Sequence, residues 1–148
     1  DVKVNDVMTP RTVIFALNKD MTVGQVLDKH TSLDFTRIPI FDTNLDVIVG
    51  IVNRYDIVNR KADDQFSTRM SEISKEVPSV NENDPVDKVL ELFIQNRYHL
   101  ALVVNNENIL TGLVTLEDAI ETLLGEEIVD EHDSVVDMRD LAKSQNNN

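Results

Sequence analysis

The chain has 148 residues, 41% of them hydrophobic, no cysteine, and a formal charge of −13 from 14 Lys and Arg against 27 Asp and Glu. That length holds one domain or two small halves sharing a core, and the apolar fraction suffices for globular packing. Without cysteine there are no disulfides, no thiolate chemistry and no cysteine-bound metal, as in a reducing compartment; the acidity argues against a nucleic-acid backbone as partner.

No run is long and apolar enough to span a bilayer, and none has the form of a signal peptide. The chain begins at Asp1 without a methionine and reads as a piece of a longer protein. Its surplus carboxylates read as a solvated surface; attraction of divalent cations is the narrower reading.

Asp1 to Pro10 form a leading segment, with Val4, Val7 and Met8 on a short helical turn against the body. Pro10 ends that turn, because the residue before a proline is pushed out of the helical region. The continuous apolar run Val13 to Leu17 predicts a short buried strand. Thr22 is expected to cap a helix over Val23 to His30, with Val23, Val26, Leu27 and His30 on one face. Arg37 to Asp42 reads as a strand, and Pro39, which has no N–H, places it at an edge or opposite a gap. Thr43-Asn44 turns the chain, Val47 to Val52 is a strand carrying Gly50, and Asn53 caps a helix through Asn59. Lys61 to Thr68 is polar and aperiodic, as expected of a linker.

The order then recurs. Met70 to Ile73 echoes Val7 to Pro10, and Val77 to Val80 echoes the first strand, weakened by Pro78. Asp84-Pro85 starts a helix, with Asp84 as cap and proline at the first helical position. It runs to about Asn96 and is expected to bury Val86, Val89, Leu90 and Phe93. Leu100 to Val104 is a strand, Asn105-Asn106 a turn, and Ile109 to Thr115 the last strand. A helix follows from Leu116 to about Leu124, stopped near Gly125. Beyond it, His132 among carboxylates reads as a solvated helix end rather than a metal ligand, Ser134 to Ala142 as a short helix, and Asn146 to Asn148 as disordered.

Gly50 and Asp56 recur 62 residues on as Gly112 and Asp118, and Val26-Leu27 recur 63 residues on as Val89-Leu90. The fold class is therefore α/β: tandem β-α-β-β-α halves that bury each other's open faces about a pseudo-twofold axis. The expected divisions are residues 1–60 with the leading segment, a linker at 61–69, a second half at 70–125, and an acidic exit with a disordered tail at 126–148.

Thr115 followed by Asp118 is the pattern of a capping box. Its recurrence at Asn53 and Asp56 makes it a repeated strand–helix junction, and an open helix N-terminus suits a phosphorylated ligand. No Walker-type loop, nucleophile–base pair or metal-ligand spacing occurs, and His30, His99 and His132 are scattered. An enzyme is not expected, nor a metal site.

With the halves side by side, Gly-x-x-Thr-x-x-Asp at Gly112 to Asp118, its counterpart at Gly50 to Asp56, and Arg37-Ile38-Pro39-Ile40 resemble a pair of CBS motifs, a Bateman module, over about Asn5 to Leu124. Four strings are similar to the cytosolic module of the CorC/CNNM family: Val7-Met8-Thr9-Pro10-Arg11, Thr36 to Phe41, Gly112 to Asp118, and Glu127-Ile128-Val129-Asp130-Glu131. That family comprises membrane-embedded magnesium transporters or exporters, some called haemolysins, with a membrane domain before the module and often a small domain after it. The resemblance implies a cytoplasmic regulatory piece of an inner or plasma membrane protein, with transport itself outside these residues.

It also implies a cleft built crosswise, from Thr9, the Val13 to Ala16 stretch and Phe35 to Pro39 in the first half, including Thr36, closed by Thr115 and Asp118 from the second. Within that frame, chemistry suggests roles. Asp118, an acceptor, takes the ribose hydroxyls; Thr115 at its helix start and the Arg37 guanidinium take phosphate, with Thr9 adding a hydroxyl. Adenine would lie against Ile14, Phe15 and Ile38, its edge read by backbone groups. The plainer readings pair Arg37 with a surface carboxylate and make Thr9 a turn residue.

The mirrored cleft would use Ser71, Val77 to Val80 and Tyr98 to Ala101, closed by Asn53 and Asp56. Asn53 replaces the threonine there, and His99 is taken to stand where Arg37 stood, so this cleft is expected to be empty or weak. The expected ligand is ATP as its magnesium complex, with AMP or ADP as alternatives. The expected partners are a second copy, in a disc-like homodimer, and the membrane domain. The rival is a pairing module without nucleotide.

Overall fold

In the computed structural model, residues 1–126 are described, so the readings on the acidic exit, His132, Ser134 to Ala142 and the Asn tail lie outside them. Helix α1 (Val23–Lys29) begins where expected: the Thr22 hydroxyl accepts from the Gln25 N–H at 3.2 Å, and the Gln25 side chain accepts from the Thr22 N–H at 2.9 Å. Both halves of a capping box are made. Helix α2 (Arg54–Ala62) starts with the Asn53 side chain accepting from the Tyr55 N–H at 2.9 Å. A short α3 spans Met70–Ile73. Helix α4 (Val86–Asn96) buries Val86, Val89 and Phe93 and half-buries Leu90. Its cap position is held by Pro85, not Asp84; the Asp84 carboxylate instead accepts from the Asn81 N–H at 3.0 Å and closes the preceding turn. Helix α5 covers 116–126 and so runs through Gly125.

The strands are β1 (Thr9–Pro10), β2 (Leu17–Asn18), β3 (Arg37–Asp42), β4 (Asn44–Asn53), β5 (Ser79–Asn81), β6 (Leu100–Val104) and β7 (Leu110–Thr115). They form a three-stranded sheet in the order β2-β3-β4 and a four-stranded sheet in the order β1-β7-β6-β5. In each, one parallel pair (β2 with β3, β5 with β6) adjoins an antiparallel hairpin. The strand expected over Val13 to Leu17 does not form as such. Arg11–Val13 is a 3₁₀ turn, and only Leu17 and Asn18 pair, with Ile40 and Phe41. Its partner run is shortened to Ser79–Asn81 in the same way.

Strand β3 lies in the middle of its sheet, yet Pro39 breaks no hydrogen bond. Opposite it, Ile51 spends its N–H and carbonyl on Lys75, at 2.9 and 2.8 Å. Pro39 is thus in a non-hydrogen-bonded pair with β4, and its nitrogen faces the β2 side. There β2 pairs only from Ile40 onward, so the proline sits opposite a gap.

Each half packs on the other's leading segment. Val4 is fully buried in the second half's core, with Val80, Val89, Phe93 and Val114. The backbone follows: Val4 N–H donates to Asp84 and Asn5 N–H to Glu82, both at 3.0 Å, and β1 pairs with β7. Conversely, Met70 and Ile73 belong to the first half's core, with Leu17, Val26, Ile38 and Ile57. Met70 N–H donates to Met21 and Ser71 N–H to Lys19, both at 2.9 Å. The two repeat glycines mark these crossings. A Cβ at Gly50 would stand 2.7 Å from the Lys75 carbonyl oxygen, and one at Gly112 would overlap the Thr9 carbonyl oxygen. Neither has a positive φ, so close approach of backbone, not turn geometry, requires glycine there.

Candidate functional site

The crossing of β1 onto β7 opens a cleft of about 570 Å³ between the halves. Thr9, Val13, Ile14 and Phe15 line it from β1 and the turn that follows, and Phe35, Arg37 and Pro39 from the start of β3. Leu100, Leu113, Thr115 and Asp118 line it from the second half. Arg11 pins the turn from both sides, pairing with Asp46 of β4 and donating to the Leu110 carbonyl at 3.2 Å.

Strand β7 ends and α5 begins at Thr115, whose hydroxyl oxygen accepts from the Asp118 N–H at 3.2 Å. The return bond that would complete a capping box is missing. The Asp118 carboxylate has no hydrogen bond and no ion pair among the described residues, although it lines the cleft. The His99 carbonyl already takes the Leu116 N–H, at 2.9 Å. The Thr115 hydroxyl, accepting from the backbone, keeps its own proton to donate. A carboxylate acceptor, a hydroxyl donor and a helix start therefore share one side of the cleft.

Arg37 is half-buried, and its guanidinium likewise makes no hydrogen bond or ion pair among the described residues. The surface pairing considered for it is not found. Phe15 and Phe35 stack, with ring centroids 5.9 Å apart and 23° between planes, and His30 meets Phe15 edge-on at 5.1 Å. Phe35 is 54% exposed, an unusual allowance for phenylalanine, and it faces the cleft. The apolar run that reads as a buried strand is left open for the same reason: Val13, at 63% exposure, lines the cleft instead of a core.

Of the nine residues expected at this cleft, Thr9, Ile14, Phe15, Arg37, Pro39, Thr115 and Asp118 come together there. Ile38 does not: alternation along β3 turns it into the first core, where it is fully buried. An adenine cannot lie on its side chain, and Phe35 offers the apolar face instead. Thr36 lies in an adjoining recess of about 200 Å³ with Arg37, His99 and Glu117, its carbonyl accepting the Arg54 N–H at 2.7 Å.

The mirrored cleft, of about 460 Å³, has Asn53, Pro78, Tyr98, His99 and Leu100 on its lining as expected. Ser71 and Asp56 are not on it. The strand registers correct the equivalence as well. Arg37 stands opposite Asn53 and Leu100 opposite Thr115, so the counterpart of Arg37 is Leu100, while His99 matches Thr36. The 63-residue offset of the core valines, applied to Arg37, also lands on Leu100; that signal was present in the sequence. The reading also missed the cations here: Lys75, Arg97 and Arg37 line the cleft against one carboxylate, Glu76.

Among the described residues, no group of three or more His, Asp or Glu could hold a metal ion, and no helix is long and apolar enough to cross a membrane. The CBS domain family matches residues 4–63 and 70–125 of the chain. The magnesium and cobalt efflux protein CorC of Escherichia coli K12 is 32% identical over 145 residues, covering 97% of this chain and 49% of CorC. The chain thus spans about half the length, or less, of the curated relatives it matches. The CBS domain of a bacterial CNNM/CorC family Mg2+ transporter in complex with ATP is similar at a TM-score of 0.77 and 27% identity, covering 84% of this chain and 88% of that one. A CBS-domain pair with bound AMP from Klebsiella pneumoniae is similar at a TM-score of 0.68 and 25% identity, covering 84% of this chain and 99% of the other.

Proposed function

The chain belongs to the CBS domain family, as a tandem pair close to those of CorC/CNNM proteins, and on that premise we propose that it is a non-catalytic regulatory module binding an adenine nucleotide. The nucleotide would sit in the cleft between β1, β3 and the start of α5. Asp118 accepts from the two ribose hydroxyls; a carboxylate in that position would repel phosphate. Thr115, with the start of α5, and the Arg37 guanidinium take the phosphates, and Thr9 adds a hydroxyl. The purine packs on Ile14, Phe15 and the exposed face of Phe35. Mg-ATP is the form best suited to a chain with a net charge of −13, because the cation offsets repulsion of the phosphate tail.

One observation carries this reading: a carboxylate with no partner among the described residues lines the same cleft as an arginine that also has none. No side-chain contact of the fold accounts for either charge; the dipole of α5 favours an acid in its first turn but does not require that acid to line an opening beside an arginine. ATP and AMP bound to similar CBS domains support the ligand class. By the same similarity, the module would sit on the cytoplasmic side of a membrane-embedded divalent-cation transporter and change that protein's state through the leading segment, where Thr9 lines the cleft. A homodimer would cover apolar side chains exposed on the equivalent helices α2 and α5, Val58 and Ile120 among them.

Titration with ATP, ADP and AMP, with and without magnesium, tests the proposal. A ligand that binds only the folded state raises the melting temperature with concentration. Mg-ATP should do so, and Asp118→Ala should abolish the rise. No rise with any of the three would leave the pairing module as the reading. Tighter binding of AMP than of Mg-ATP at millimolar magnesium would exclude the ATP assignment.

A further inference from the structure

The two clefts share lining residues, the first residue of β3 and the first residue of β6. The residue at that position in each half, Arg37 or Leu100, lines both clefts. The second half supplies a leucine there, so one guanidinium serves two openings. Around it the charges differ. The first cleft has Arg37 and Asp118 on its lining, one charge of each sign. In the second Arg37 is joined by Lys75 and Arg97, with Glu76 the one carboxylate. That leaves a net positive cleft in a chain of net charge −13. None of the three cations makes an ion pair there among the described residues.

Resting on the nucleotide reading above, we propose that the second cleft takes a small phosphate-type anion whose binding is antagonistic to nucleotide in the first, because both draw on Arg37. A guanidinium has five N–H donors in one plane, and turning that fork toward one opening turns it from the other. An anion held by Lys75 and Arg97 therefore withdraws Arg37 from the nucleotide's phosphates. The ribose contact at Asp118 and the purine contact at Phe35 stay intact. The antagonism is partial: it stops at the loss of one charged partner. It also requires a ligand with phosphates.

The test uses inorganic pyrophosphate as the anion and calorimetry on this chain. In the wild type, the apparent Kd of ATP should rise with pyrophosphate to a plateau roughly tenfold weaker, the scale of one charge-assisted hydrogen bond. The Kd of adenosine should not move. In the variant Lys75→Gln/Arg97→Asn the pyrophosphate effect should vanish while ATP alone binds as in the wild type. Asparagine is chosen because Arg97 has a φ of 58°, a left-handed conformation that asparagine tolerates. An effect that persists in the variant would mean simple competition at the first cleft and overturn the proposal. So would weaker ATP binding by the variant alone, which would mean that one phosphate tail spans both clefts. If ATP does not bind the wild type at all, the nucleotide reading fails and the antagonism with it. A pyrophosphate melting shift that the variant abolishes would then still report the anion cleft, so the two failures are distinguishable.

Discussion

Thr115 gives its hydroxyl oxygen to the Asp118 N–H at 3.2 Å, while the Asp118 carboxylate returns nothing to the backbone. The two side chains should therefore respond differently to substitution. Asp118→Asn keeps the volume and removes the charge; stability should fall by only about 0.5 kcal/mol, the scale of one carboxylate on the dipole of a helix's first turn. Nucleotide affinity should fall roughly 10- to 100-fold, the scale of losing charge-assisted hydrogen bonds to the ribose. Thr115→Val removes a helix cap and should cost about 1 kcal/mol of stability in addition to weakening nucleotide binding. Paired chemical denaturation and calorimetry on both variants read the contrast. Equal loss of stability in the two would mean that Asp118 is a structural cap after all. In sequence, a capping box and a half-box are the same letters, Thr-x-x-Asp. Only the missing return bond separates them, and it depends on where the carboxylate points.

At the scale of elements, the repeat and the strands β3 and β6 were legible because their information is local. Arg37 to Asp42 and Leu100 to Val104 are short β-branched and apolar runs, and their ends needed no correction. What was not legible is what the repeat glycines are for. Gly112 looks like a weak point inside a strand, but it is the position at which the Thr9 carbonyl passes. Nothing near residue 112 in the sequence announces a partner a hundred residues earlier. The same blindness made the apolar run at Val13 look like a core strand, when Val13, Ile14 and Phe15 line an opening and Leu17 alone of the run is buried in the core; local rules tend to fail where a site is kept open. A prediction follows from the crossing. Gly112→Ala forces β1 off β7, and overpacking of this kind costs about 1–3 kcal/mol. Because β1 carries Thr9 into the cleft, nucleotide affinity should fall as well. Gly50→Ala meets the Lys75 carbonyl at 2.7 Å and should show a comparable loss of stability. It should leave the first cleft's affinity largely as it was, since Lys75 lines only the second. Melting curves with and without Mg-ATP on the two variants test the distinction.

For the whole molecule, the exchange of leading segments decides what can fold alone. Cutting at the linker, as the sequence divides the chain, gives residues 1–69 and 70–126. The first piece then lacks Met70 and Ile73 from its core and keeps Val4, which has nothing to pack on. The second lacks Val4 and the strand β1 that covers β7. Small domains have little stability to spare, and burying one large side chain is worth about 1.5–3 kcal/mol. Neither piece should fold. A cut placed by packing instead, at 11–76, keeps every member of the first core from Leu17 to Ile73 and the Lys75 pairing with Ile51. That fragment should show more helix and a more cooperative melt than 1–69, although it is only a few residues different in length. Its cleft would be half a cleft, without Thr9, Thr115 or Asp118, and Mg-ATP should not raise its melting temperature. Circular dichroism of the two fragments, each with and without Mg-ATP, reads both expectations. A cooperative melt for 1–69 equal to that of 11–76 would mean that the two segments only decorate the opposite core, and the coupling of nucleotide to the leading segment would lose its physical basis.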